Sequence, residues 1–195
     1  RFPKVWEAFF FCGNAGIGMG GNPLHESAME DYDLIFDLNS KGVFAGMKYG
    51  AEAIFRSGSN GGFLINVASI AGIMPQRGQA LYTATKFGVV GMTKSAALDY
   101  AKYNITVNAI CPGYTMTTMF EGIPDEAMAF FLNDCPSGRL GDPYECAYLA
   151  LFLASDMARY ISGAAIPVDG ALSAGSKNIT TWSHPEIRKN DIENG

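Results

Sequence analysis

The sequence predicts an α/β protein built on a doubly wound parallel sheet. Three observations carry this expectation. Short apolar, β-prone runs recur at 63–67 (FLINV), 105–110 (ITVNAI) and 164–168 (AAIPV), with an aromatic-rich run closing at Cys12. Such runs fit strands buried on both faces. Long segments of helical periodicity separate them, the alternation that gives a parallel sheet with helices on both sides. The runs are followed by loop residues: Gly13-Asn14, Ser69 and Pro112-Gly113. In such sheets ligands bind beyond the carboxyl ends of the strands, so these three places should converge on one edge.

The elements follow in order. Residues 5–12 give a first strand, and the glycine-rich stretch from Gly13 to Gly21 gives a loop. Ser27 and Glu30 have capping-box spacing, so a helix is expected from Ser27. Leu34, Ile35, Leu38, Val43, Met47, Ala51 and Ile54 then recur at helical spacing, as one long helix or two abutting ones ending near residue 55. Residues 57–62 are a polar turn, 63–67 a strand, and 80–103 a second long helix that precedes the strand at 105–110. Residues 114–140 read as irregular, with a helix near Asp125–Leu132. Asp142-Pro143 opens a helix running to about Ser155, with proline in its first turn. The run at 164–168 is a last strand, placed at a sheet edge by Pro167. One domain should span residues 1–172, with a polar C-terminal tail over 173–195.

Composition narrows the function classes. The 195 residues are 48% hydrophobic and 17% charged, a globular balance. A net charge of −5, and no basic cluster longer than Arg188-Lys189, argue against a nucleic-acid partner. No apolar run reaches the length of a membrane span, and Glu7 interrupts any signal-type segment, so no membrane partner is expected. Cys12, Cys111, Cys135 and Cys146 form no CxxC pair and read as buried, reduced thiols of a cytoplasmic protein. His25 and His184 are the only histidines, so no HExxH motif exists and no metal is expected.

The chemistry-bearing stretch is Gly62–Val90. Tyr82 and Lys86 are four residues apart, on one helix face. An unperturbed tyrosine, with a pKa of about 10, is a poor base at neutral pH. A neighbouring ammonium should lower that pKa and let the phenol exchange a proton with an alcohol or carbonyl. Ser69, after a strand and thirteen residues before Tyr82, can donate a hydrogen bond to the same oxygen.

Asn39 in LNSKGVF, Ser69 in INVASIAG, YTATK at 82–86, VNAICPGYTMT, NAG at 14–16, LFLASD at 151–156 and ISGAAIPVDGA at 161–171 together resemble the short-chain dehydrogenase/reductase family. The resemblance covers roughly residues 9–172. It implies a Rossmann-like fold and an oxidoreductase that uses NAD or NADP to interconvert secondary alcohols and ketones. By similarity, Tyr82 is the proton donor or acceptor, Lys86 lowers its pKa and holds the nicotinamide ribose, Ser69 orients the substrate, and Asn39 supports a proton relay. Asn14, Ala15 and Gly16 match a segment beside the cofactor. Pro112, Gly113, Thr115 and Thr117 match a segment that contacts the nicotinamide. The family usually has Asn where Gly13 stands, which should loosen this strand end. The family also implies a homodimer or homotetramer, with contacts through helices at about 27–55 and 80–103.

Gly16–Gly21 spells GxGxxG, but Asn22-Pro23 follows where a dinucleotide fingerprint needs a helix, so the match is read as false. The family's N-terminal βαβαβ half, with its TGxxxGxG phosphate turn and the strand that selects NAD or NADP, has no counterpart in these residues. The strand ending at Cys12 is therefore expected to be an open, hydrophobic edge. Two readings follow: an enzyme or its catalytic part, or a non-catalytic remnant that binds partners or oligomerises. The segment after Pro112-Gly113 carries Met116, Met119, Phe120, Ile123, Met128, Phe130 and Phe131, with Arg139 its only cation. It suits an apolar substrate of hydroxysteroid, oxoacyl or cyclic-ketone type, although core or subunit packing explains the same residues.

Overall fold

A computed structural model describes residues 9–120 and 122–175. Residues 5–8 of the expected first strand, and 176–195 of the expected tail, lie outside the described residues. Four parallel strands form one sheet in the order β1-β2-β3-β4: β1 Phe9–Gly13, β2 Gly62–Val67, β3 Ile105–Pro112 and β4 Ala165–Val168. The helices are α1 Met29–Phe36, α2 Gly42–Ser57, α3 Ala80–Tyr100, α4 Asp125–Asp134 and α5 Pro143–Leu153.

Residue alternation along the central strands sorts two cores. Leu64, Val107, Ala109 and Cys111 face α2 and α3, where Val43, Met47, Val89 and Val90 meet them. Ile65 and Ile110 face the other way and pack with Leu153 and Ala158. Helices thus cover both faces, as the doubly wound reading requires. Asn108, on the α5 face of β3, donates to the Ile161 carbonyl at 2.7 Å and accepts from the Ala164 amide at 3.1 Å, fixing the approach to β4. Pro167 stands opposite Cys111 on edge strand β4. β1 pairs with β2 alone among the described residues, and Phe10 on it is exposed.

Two expectations need correction. The capping box at Ser27 and Glu30 does not form. Ser27 instead ends a short 3-10 turn at Leu24–Glu26, and α1 begins at Met29 with Ala28 as its N-cap. Glu30 therefore sits one position too early to reach back. A working box occurs at α5, where the Asp142 side chain accepts from the Tyr144 amide and Glu145 accepts from the Asp142 amide, both at 2.8 Å. Secondly, the long helix is neither simple nor split. A π turn at Asp37–Lys41 joins α1 to α2 without a break. Asn39, Ser40 and Gly42 are weak helix formers that ease this widening.

The short 3-10 turn Ile70–Gly72 presses on α3. A Cβ at Gly72 would stand 2.7 Å from the backbone oxygen of Lys86, so the two elements meet main chain to main chain. Gly72→Ala should lower stability by about 1–3 kcal/mol, since neither backbone can yield alone. An unchanged urea unfolding midpoint would rule out this close contact.

Candidate active site

The site grows from the carboxyl ends of β1 and β2 and from the first two turns of α3. At the end of β2, Ser69 caps the 3-10 turn, its hydroxyl oxygen accepting from the Ala71 amide at 3.1 Å. It also lies close enough to the Tyr82 hydroxyl to act on its protonation. Tyr82 is half-buried, and the Lys86 ammonium lies 5.6 Å from the centre of its ring. Lys86 is only 5% exposed, and its ammonium donates to the Val67 carbonyl at 3.2 Å.

Asn39 occupies the π turn and is fully buried. Its side chain pairs with the Ile17 main chain as another strand would. The Ile17 amide donates to Oδ1 at 2.8 Å, and Nδ2 donates to the Ile17 carbonyl at 2.9 Å. Nδ2 also reaches the Thr85 hydroxyl at 3.4 Å, which itself donates to the Tyr82 carbonyl at 2.7 Å. Asn39 is thereby linked to the helical turn that carries Tyr82. The π turn aims this side chain inward, and the helix-weak LNSKG segment was the sequence signal for it. Thr85 and the Ile17 backbone had no signal of their own.

Burial sets the electrostatics. It raises the Tyr82 pKa, opposed by the neighbouring Ser69 hydroxyl. It pulls Lys86 down to about 8, opposed by the nearby Cys111. The expected depression of the Tyr82 pKa by Lys86 is thus not expressed in this structure, because desolvation dominates and the ammonium is tied to Val67. Cys111 is pushed up to about 11, chiefly by burial.

The remaining predicted residues fall on two stretches of the same edge. Asn14, Ala15 and Gly16 follow β1 and are exposed. A Cβ on Gly16 would sit 3.0 Å from Asn39 Oδ1 and 3.4 Å from Lys86 Nζ, so a side chain here would crowd both groups. Pro112 ends β3, and the Gly113 amide donates to the Val168 carbonyl at 3.0 Å. Thr115 bridges to Gly141, and Thr117 precedes a 3-10 turn at Thr118–Phe120. The Thr115–Gly141 bridge closes the base of an excursion containing α4. A cavity of about 420 Å³ opens there, lined by Met116, Met128, Leu132 and Leu140 among others. Arg139 beside it is paired with Glu145 through two hydrogen bonds at 2.7 and 2.9 Å. No cluster of three or more metal-binding side chains occurs among the described residues, and no helix there is long and apolar enough to cross a membrane.

The Lys86 ammonium makes one hydrogen bond to the described residues, which leaves two N–H groups for a ligand's hydroxyls. Until they are used, its burial destabilises the fold. A folded pKa of about 8 against 10.5 means the unfolded chain binds this proton more tightly. The penalty is full below about pH 8 and fades as the pH rises toward 10.5. Lys86→Met should therefore stabilise the chain at pH 7 by on the order of 2 kcal/mol. That advantage should shrink in urea titrations repeated at pH 9. A pH-independent difference would mean that the ammonium is not desolvated.

Comparison with known proteins places this geometry. A family model described as enoyl-(acyl carrier protein) reductase matches residues 7–173. The 3-oxoacyl-(acyl carrier protein) reductase FabG of Thermotoga maritima is 41% identical over 143 residues, which are 73% of this chain and 57% of that protein. Levodione reductase of Leifsonia aquatica is 36% identical over 182 residues, 89% of this chain and 66% of that one. The chain thus spans less than two thirds of the length of these relatives. A crystal structure of levodione reductase superposes with a TM-score of 0.79 at 34% identity, covering 86% of this chain and 67% of that one. The structure of ElxO with NADP bound gives 0.79 at 27% identity, covering 85% and 67%. The motifs, the parallel sheet and these matches agree: the chain belongs to the short-chain dehydrogenase/reductase family.

Proposed function

We propose that this chain carries the proton-transfer centre of an NAD- or NADP-dependent oxidoreductase that interconverts a secondary alcohol and a ketone. The carrying observation is that the buried, under-bonded Lys86 stands 5.6 Å from the Tyr82 ring, with Ser69 beside the Tyr82 hydroxyl, at the carboxyl edge of the sheet. The relatives support it: one is a 3-oxoacyl reductase, another a levodione reductase, and a solved neighbour holds NADP.

The residues fit the nicotinamide-riboside end of such a cofactor. The Lys86 ammonium and the bare backbone at Gly16 would hold ribose hydroxyls, and Asn14, Ala15, Pro112, Gly113, Thr115 and Thr117, which follow β1 and β3, would contact the rest of the nicotinamide riboside. When bound, the nicotinamide supplies or accepts the hydride at the carbonyl carbon. Tyr82 donates its phenolic proton to the carbonyl oxygen in reduction and takes it back in oxidation. Ser69 donates a hydrogen bond to the same oxygen and stabilises its developing charge. Hydroxyls accepting from Lys86 would raise its pKa back from about 8 and keep it charged at higher pH, and its charge favours the Tyr82 phenolate. Asn39, held to Ile17 and Thr85, fixes the π turn beside Lys86 and supports proton resupply.

The substrate reading is a neutral, apolar ketone or alcohol of cyclic-ketone, oxoacyl or steroid type. Its support is the apolar cavity at Met116, Met128, Leu132 and Leu140, whose one lining cation is engaged by Glu145. Exposed Phe44, Tyr49, Phe87 and Leu98 on α2 and α3 support a homodimer or homotetramer, and the four free cysteines fit a cytoplasmic protein.

Fluorescence titration with NADPH and NADH tests the cofactor, and turnover of a cyclic ketone, a 3-oxoacyl thioester and a 3-oxosteroid tests the reaction. Tyr82→Phe should lower turnover by about 10²–10⁴-fold and leave cofactor affinity intact. Equal turnover by Tyr82→Phe would refute the proton-transfer assignment. A chain that binds neither nucleotide would favour the non-catalytic, oligomerising reading.

A further inference from the structure

The glycine-rich stretch Gly16–Gly21 is not a phosphate loop: no helix starts within it, and the next element is the 3-10 turn at Leu24–Glu26. It is instead a strap fixed at both ends. At one end, Ile17 is held through two hydrogen bonds by Asn39, which reaches Thr85. At the other, the Gly21 amide donates to the Gly78 carbonyl at 2.8 Å, just ahead of α3. Gly20 presses there so closely that a Cβ would stand 2.7 Å from Gln79 Cγ and 3.0 Å from the Gly78 oxygen. Gly21, at φ +112°, and Gly78, at φ +75°, adopt backbone conformations that glycine tolerates.

The strap therefore runs alongside the start of α3, from the level of Lys86 and Thr85 back to Gln79. Six helical residues rise about 9 Å, a distance that four extended residues can span. Gln79, Tyr82 and Lys86 stand at i, i+3 and i+7, on one helix face. Gly16 adjoins Lys86 Nζ and Gly20 adjoins Gln79 Cγ, so the strap follows that face with Tyr82 midway. Between its anchors it reads Gly18-Met19-Gly20, and Met19 is its one large side chain, half-buried while its glycine neighbours are exposed.

We propose that Met19 is a specificity-determining wall of the Tyr82 site. It bounds the substrate on the strap side of Tyr82, and accepts a ketone whose substituent there is apolar. The proposal rests on the reading of Tyr82 as the proton donor. The flanking glycines let a long, adaptable thioether take this place without backbone strain.

The test uses the full chain with ε-¹³CH₃-methionine, the Met19 methyl resonance being assigned by its loss in Met19→Leu. Tyr82→Leu removes a ring and should move the Met19 methyl more than any other methionine methyl. Tyr82→Phe keeps the ring and should leave it in place, which also controls for misfolding. A Met19 methyl insensitive to Tyr82→Leu overturns the proposal whether or not the chain is active. Titration with cyclohexanone in the presence of NADP should then move the Met19 methyl saturably. If it moves only the methyls of Met116 or Met128, Met19 is not a substrate wall and the proposal falls. If it moves no methyl, the ketone reading fails, and with it the claim about substrate, while the ring comparison still decides whether Met19 borders Tyr82.

Discussion

The active edge depends on how α3 is held, and two adjacent residues of that helix do most of the holding. Thr85 is tied through Asn39 to the loop after β1, and Lys86 is tied through Val67 to the end of β2. Each bond joins an α3 side chain to a strand end or its loop, directly or through Asn39. Because neighbouring residues on a helix point about 100° apart, one turn of α3 can clamp two strand ends at once. Tyr82, one turn earlier, inherits its position from this clamp. The contact at Gly72 completes it by setting the distance between the Ser69 turn and the helix backbone.

Such a clamp is costly in the free chain. An ammonium at 5% exposure with one hydrogen bond is a stability defect by ordinary standards. Its neighbourhood makes the defect purposeful. Val67 takes one donor, the glycine at position 16 leaves space beside another, and Tyr82 presents its ring to the charge. The raised Tyr82 pKa belongs to the same economy. Burial holds the phenol in its neutral form in the free chain, and Ser69 beside it works against that rise.

Much of this was legible in the sequence because it depends on spacing. Tyr82 and Lys86 share a face by helical period alone, and Ser69 reaches them because a parallel strand and the following helix return to the same edge. The four strands were legible from short apolar runs, and β4 as an edge from Pro167. What escaped had no periodic signature. The π turn at Asp37–Lys41 inserts a wider turn into an unbroken helical pattern, and only the weak helix formers around Asn39 hinted at it. Ser27 and Glu30 matched a capping box in type and spacing, but Pro23 starts a 3-10 turn that postpones the helix by one residue. Backbone partners such as Ile17 and Val67 contribute through main-chain atoms that every residue possesses, so no sequence reading could single them out.

The two halves of the edge are held by different physics, and this separates what the chain can do from what it can do it to. Around α3, buried hydrogen bonds and main-chain contacts fix Ser69, Tyr82 and Lys86 relative to β1 and β2. Beyond β3 and β4, the excursion bearing α4 is closed by the Thr115–Gly141 bridge and by an Arg139–Glu145 pair that lies exposed and is easily screened. Its interior contacts are aromatic and adaptable: Phe131 meets Tyr114, Phe120 and Phe130 edge-on, and Tyr114 donates to Asp134 at 3.1 Å. Substitutions there can change the shape of the apolar cavity without disturbing Ser69, Tyr82 and Lys86, because no hydrogen bond described above crosses from α4 to α3. A fold organised in this way can keep the geometry around Tyr82 while the cavity beside α4 varies. The rigid strap at Gly16–Gly21, anchored to α3 itself, varies only at the expense of the clamp.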